Sequence, residues 1–208
     1  MEDVLEVYPR PSDRQRPLVC MDEKGVQVSG ETRLPRLVKA GREARYDLEY
    51  VRRGVTNLCM FFEPLAAKRQ VMVRGRRGAR QWAGVMRELV DVHYPEAEGI
   101  VVVLDNLNTH ALSSLYEVYE PAEGRRIAHT LERHYTPKHG SWLNMAEIEL
   151  SVLARQCLKR RLASEEELGR EVGAWTAARN GGEATVDWRF TTADARIKLK
   201  RLYPSIQL

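Results

Sequence analysis

The sequence predicts an α/β fold, a mixed β-sheet flanked by α-helices, and three observations predict it. Ile100–Leu104 is an unbroken apolar run containing three valines, which reads as a buried central strand. Residues 18–22 alternate in the manner of a strand, and 56–62 and 69–73 are rich in β-branched and aromatic residues between turn signals. Residues 79–93 and 143–161 carry apolar side chains at helical spacing.

Each element can be justified in order. Residues 1–17, with Pro9, Pro11 and Pro17, read as an extended lead-in or linker remnant and resemble neither a signal peptide nor a transit peptide. The first strand puts Leu18, Cys20 and Asp22 on one face and Val19 and Met21 on the other. Gly25 and Val26–Val28 continue it or turn into a paired strand. Residues 30–43, with Pro35 and Gly41, read as loop. Tyr46–Tyr50, Thr56–Phe62 and Arg69–Val73 follow as antiparallel strand candidates, separated by Gly54 and by Glu63-Pro64. Trp82, Val85, Met86, Leu89 and Val90 give a helix over 79–93, stopped by Pro95 and Gly99. The strand at Ile100 is expected to run parallel to the first. Pro121 splits two short helices over 111–120 and 122–132, and residues 133–136 form a short strand closed by Pro137. The helix at 143–161 has the stripe Ala146, Leu150, Leu153, Cys157. Ser164–Glu167 is a capping box opening a helix that Gly181-Gly182 ends. The tail 186–208 carries a last amphipathic helix with Ala195, Leu199 and Leu202 in line. Residues 18–163 are thus the expected core and 164–208 its helical extension.

With 208 residues, 43% hydrophobic and 30% charged, the chain suits one sizeable core. No apolar run approaches the roughly 18 residues of a membrane helix. Cys20, Cys59 and Cys157 lie far apart without CxxC spacing, which argues for a reducing compartment and against zinc or a disulfide framework. The formal net charge is only +4, but it is unevenly placed. Lys68, Arg69, Arg74, Arg76, Arg77, Arg80 and Arg87 occur without an intervening acid; Lys159, Arg160 and Arg161 form a second cluster, and Arg196, Lys198, Lys200 and Arg201 a third. Such clusters suit a polyanionic partner, and solvated helix faces produce the same pattern.

Asp105 ends the buried strand, where open α/β sheets place their sites. A carboxylate there needs a partner, for which a metal ion is one candidate; the alternative is a turn cap with Asn106 and Asn108. On the helix after residue 143, Glu147 and Glu149 lie about 200° apart and cannot serve one site. Glu147 shares its face with Asn144, Ser151 and Ala154, small residues that permit close approach to a sheet, and is the better candidate against the alternative of a surface glutamate. Asp22, Asp105 and Glu147 are therefore the candidate acids. Three converging carboxylates require a strong counter-charge, which magnesium supplies. Two such ions roughly 4 Å apart support phosphodiester cleavage.

The segments VCMDE, VVVLDNLNTH and YTPKHGSWLNMAEIELS resemble the catalytic region of insertion-sequence transposases of the IS630 group, in the Tc1/mariner superfamily. The resemblance runs from about Val19 into the tail. It implies a DDE catalytic core on a ribonuclease-H-like fold, with Asp22, Asp105 and Glu147 as catalytic acids and metal ligands, and Asn106, His110 and Asn144 in support. It further implies Mg2+, with Mn2+ as substitute and two ions in the site, and DNA as partner, both transposon ends and target. A homodimer, no membrane, and a cytoplasmic, nucleoid-associated bacterial location complete the expectation. The implied reaction is hydrolysis at the transposon end followed by strand transfer. The interval from Asp105 to Glu147 exceeds that of the best-known Tc1 and mariner members, and the helices around Pro121 account for the excess. Family members also carry an N-terminal helix-turn-helix region that binds the ends. Here the first catalytic strand stands near the start, so the expectation is a catalytic fragment, a truncated or split product, or an excised domain.

Further residues keep two readings each. Arg74, Arg76, Arg77, Arg80, Lys138, His139, Lys159, Arg160 and Arg161 are candidates for DNA contact or solvated surface. His110 orients a phosphate or water, or caps a helix; Trp142 stacks on a base or joins the core. Glu23 should point away from Asp22. The competing functions are a related metal-dependent nuclease or resolvase, and a non-catalytic DNA-binding fragment that inhibits an intact transposase.

Overall fold

A computed structural model describes residues 1–33, 36, 38–43, 47–107 and 110–203. Among these, five strands form one mixed sheet in the order β3-β2-β1-β4-β5. Strand β1 (Leu18–Glu31) pairs antiparallel with β2 (Tyr50–Glu63), which pairs antiparallel with β3 (Lys68–Arg74). On its other side β1 runs parallel to β4 (Ile100–Asp105), which runs parallel to β5 (Leu131–Thr136). The expected parallel pairing of the first and central strands is thus present. It follows from the connection between them, which passes through α2 (Ala79–Glu88) and a wider turn at Leu89–His93, a crossover that parallel strands require.

Period-two alternation sorts side chains to two cores. Leu18, Cys20, Val101 and Val103 face one side, where they meet α1 (Glu2–Val7), α5 (Met145–Gln156), α6 (Glu165–Gly181) and α7 (Thr192–Lys198). Val19, Met21, Val102 and Leu104 face the other, against α2 and the short helices α3 (Ser113–Tyr116) and α4 (Pro121–Thr130). The central run Ile100–Leu104 is buried on both faces, which is why its sequence is continuously apolar rather than alternating.

Four local readings are corrected. The lead-in is not extended throughout: Glu2–Val7 is a helix whose Val4, Leu5 and Val7 are buried in the first core. Arg196 of α7 clasps it through both oxygens of Glu2, at 2.8 and 2.7 Å. Gly54 is not a turn. It lies inside β2, at φ +128° beside a register shift opposite Val28 and Ser29, so it serves a β-bulge in one long strand. The strand read at Tyr46–Tyr50 falls partly outside the described residues, and of the rest only Tyr50 is in β2. The helix read at 143–161 is shorter, because Asn144 caps its start and Cys157 its end. Parts of the loop at 30–43 and of the tail, together with Asn108, also lie outside the described residues.

Candidate active site

Asp22 and Asp105 meet because of strand register. Cys20 stands opposite Val103 in the parallel pair, so two residues further on the two acids emerge at the same level and on the same face. Asp105 leaves β4 beside Thr136 of β5, whose Oγ1 donates to Asp105 Oδ1 at 3.0 Å and fixes the carboxylate. Asp22 Oδ1 accepts the Glu23 backbone N–H at 2.7 Å.

The third acid is brought near by Asn144. Its Oδ1 caps α5 by accepting from Ala146 N at 3.1 Å, and its Nδ2 donates to the Met21 carbonyl at 2.7 Å. One fully buried side chain therefore starts the helix and ties that start to the residue before Asp22. Glu147 follows in the first turn, exposed, with its charge felt at Asp22. The Asp22 carboxyl is pushed up to about 7, first by burial and then by Asp105, with Glu147 adding and Arg77 opposing. Among the described residues, no three His, Cys, Asp or Glu side chains are gathered closely enough to hold a metal ion. Asp22 and Asp105 thus form the inner pair, and Glu147 lies in their field without closing a three-carboxylate set.

His110 lies beneath this site, 1% exposed and stacked on Trp82 at 5.9 Å. Its Nδ1 is 2.9 Å from the Asp105 carbonyl, which only accepts, so Nδ1 carries the proton. Its Nε2 is buried without a hydrogen-bond partner among the described residues, 3.9 Å from Glu23 Oε1. This ring fixes the backbone at the end of β4. Glu23 does point away from Asp22: Arg77 pairs with its carboxylate at 3.1 Å and also donates to its carbonyl at 2.6 Å.

A cleft of about 360 Å³ opens beside Asp105, lined also by Asn106, Thr136, Lys138, His139 and Ser141. His139 holds φ +62°, an uncommon conformation for a residue with a side chain. Trp142 is 42% exposed and packs on Trp188 at 6.5 Å and edge-on to Phe190 at 5.6 Å, a half-open aromatic cluster.

The basic candidates divide by what already engages them. Arg76, Arg80, Lys138, His139 and Lys159 are exposed and in no ion pair among the described residues. Arg74 pairs with Glu88, and Arg160 pairs with Glu171 at 2.5 Å. Arg161 is held by Glu31 at 2.5 Å, by the carbonyls of Asp47, Leu48 and Glu49, and over the Tyr50 ring. Arg69, one of the first basic cluster, is fully buried and bonded to Glu149, Ala67 and Ala184. Charge counting could not separate these groups, because the acids that engage them are distant in sequence. Thr136 was missed for a similar reason: a lone threonine in a strand carries no signal until the neighbouring strand supplies Asp105.

Fold and site together define a ribonuclease-H-like α/β domain with acids side by side on two adjacent parallel strands, Asp22 within β1 and Asp105 at the end of β4, and Glu147 in the first turn of the helix tied to β1. Residues 17–169 match the DDE superfamily endonuclease family, and the chain belongs to it. No curated protein matches the chain. Among solved structures, the Mos1 mariner paired-end complex with Mn is similar at TM-score 0.57 and 17% identity, over 89% of this chain and 60% of that one. The Mos1 transposase paired-end complex with left transposon end gives 0.57 at 18%, over 88% and 56%. The Mos1 strand transfer complex gives 0.52 at 16%, over 89% and 59%. At these identities the likeness is one of fold, and the chain spans no more than 60% of the length of these relatives. No helix among the described residues is long and apolar enough to cross a membrane.

Proposed function

We propose that this chain is the catalytic domain of a DNA transposase of the IS630 type, cleaving phosphodiester bonds at transposon ends and joining the freed 3′ end to target DNA. The observation that carries the reading is the pairing of Asp22 and Asp105 at one level of adjacent parallel strands, with Glu147 brought to the same face by Asn144.

The residues fit a divalent cation. Burial and two neighbouring carboxylates raise Asp22, while Arg77 alone among its named neighbours supplies positive charge. Asp22 and Asp105 would hold Mg2+ or Mn2+, one ion or two, with Glu147 joining as a third carboxylate only by moving in from its exposed position. Such an ion supplies charge neutralisation at the phosphate and activation of the attacking group. The chain's own residues do the rest. Thr136 keeps Asp105 in one rotamer, and His110 keeps its backbone in place. Lys138 and His139 face the same cleft and favour entry of a phosphate. The DNA backbone would cross this end of the sheet, and the likeness to Mos1 complexes with transposon ends supports DNA as the partner.

Asp105→Asn, placed in a full-length transposase, should abolish Mg2+-dependent nicking of end DNA; unchanged nicking would overturn the reading. The exposed position of Glu147 favours a second reading, a DNA-holding fragment without activity. Mixing the chain with an intact transposase separates the two: suppression without nicking by the chain itself supports the second.

A further inference from the structure

A second cavity, of about 350 Å³, adjoins the acid cleft and shares Asn106 and Leu107 with it. Its other lining residues are His110, Ala111, Leu112, Arg133 and Tyr135. Arg133 is the cation of this cavity, and its position is unusual. It lies on β5, opposite Val102 of the central strand, and is partly buried. Its Nε is buried without a hydrogen-bond partner among the described residues, and Nη1 reaches only the Tyr135 hydroxyl, at 3.3 Å. It is in no ion pair among the described residues. Its neighbour Glu132 is held elsewhere, by Arg10 and Arg16 at 2.6 Å each and by His134 at 3.1 Å.

A partly desolvated guanidinium without an anion is an unfavourable arrangement unless a ligand completes it. The fork of an arginine matches phosphate oxygens, and the cavity is open beside the loop that carries Asp105. We propose that Arg133 receives a backbone phosphate of the DNA strand where it passes the Asn106–Leu107 loop, on the sheet face away from Asp22 and Asp105. This inference rests on the proposed function for the presence of DNA; the site itself is independent of the metal. Lys138 and His139 on one side of Asn106, and Arg133 on the other, then mark the course of the strand across the sheet end.

The test is the salt dependence of binding to a 20-base-pair duplex, read by fluorescence anisotropy. Each phosphate neutralised contributes roughly 0.9 to the slope of log affinity against log salt. Arg133→Met is expected to lower that slope by about one and to weaken binding roughly tenfold at 0.1 M salt. Arg125→Met, which removes an equal charge from the exposed face of α4, should change the slope little. Equal slopes for the wild type and Arg133→Met, or equal losses in both variants, would overturn the assignment while leaving the proposed function standing. A wild-type chain whose binding ignores salt would overturn both. Should Arg133→Met fail to fold, Arg133→Lys serves instead. It keeps the charge and loses the fork, so its slope should stay within a few tenths of the wild type while its affinity falls several-fold; undiminished affinity would overturn the assignment.

Discussion

Asp22 is where burial and like charge meet, and its titration gives a measurable consequence. Its folded value of about 7 lies above the ordinary 3.8, so between these values the folded chain holds a proton that the unfolded chain has released. The stabilising contribution of this group is therefore complete below about pH 4 and is lost as pH rises through 7. On the proposed function, a divalent cation would take the place of the proton at pH 8. Mg2+ is expected to raise the unfolding midpoint by several degrees at pH 8 and far less at pH 5, and Asp22→Asn should remove the shift. Differential scanning fluorimetry at the two pH values checks this, and an equal shift at both would contradict it. Asn144 offers a second test at this scale. Asn144→Ala removes a helix cap and leaves the buried Met21 carbonyl without its donor, together about 2–4 kcal/mol of stability by urea unfolding. The candidate acids were marked in the sequence by their types and spacings and by the family resemblance. Their shared face was legible for Asp22 alone, from alternation, whereas Glu147's proximity depends on a hydrogen bond between residues 144 and 21.

Among the elements, α5 carries two glutamates with opposite roles. Glu147 is exposed, with its charge felt at Asp22, while Glu149 is 1% exposed and is gripped by Arg69 of β3 and Arg179 of α6. Burial opposes ionisation of Glu149, but its hydrogen bonds to the two arginines outweigh that and hold it below the usual carboxylate range. The 200° separation read from the sequence correctly set the two glutamates apart; that Glu149 joins three elements was not readable, since both arginines lie far along the chain. Glu149→Ala leaves Arg69 buried without its partner, and should cost about 3–5 kcal/mol by chemical denaturation, much more than Glu147→Ala. Replacing Arg69 and Glu149 together with Met and Leu should recover most of that loss. Strand β2 and helix α1 show what local reading mistook. Gly54 signals either a turn or a bulge, and only the partner strand decides which. Glu2–Val7 has too few residues to show a helical period, and its helix is stabilised by packing on the first core rather than by propensity.

At the scale of the molecule, the sheet separates two cores, and the cleft beside Asp105 is lined by Lys138 and His139. Among the described residues, Arg76, Arg80, Lys138, His139 and Lys159 are exposed and in no ion pair, whereas Arg69 and Arg161 are engaged within the fold. DNA binding by the chain should weaken steeply with salt. Lys138→Ala should reduce the slope by about one, and Arg161→Ala should lower stability with little change in slope. Anisotropy titrations and thermal unfolding of the two variants decide it; a slope loss confined to Arg161→Ala would contradict the division.

The amino-acid order by itself determined the α/β class, the buried central strand, the parallel crossover and the three acids in their motifs. Hydrophobic period and β-branched runs act locally, so they can be read along the chain. The tertiary structure decided which charges are free and which are held, how Asp105 is clamped by Thr136, and how Glu147 is presented to Asp22. Those outcomes depend on pairs of residues distant in sequence, and burial, which sets their energies, exists only once the sheet and helices have packed.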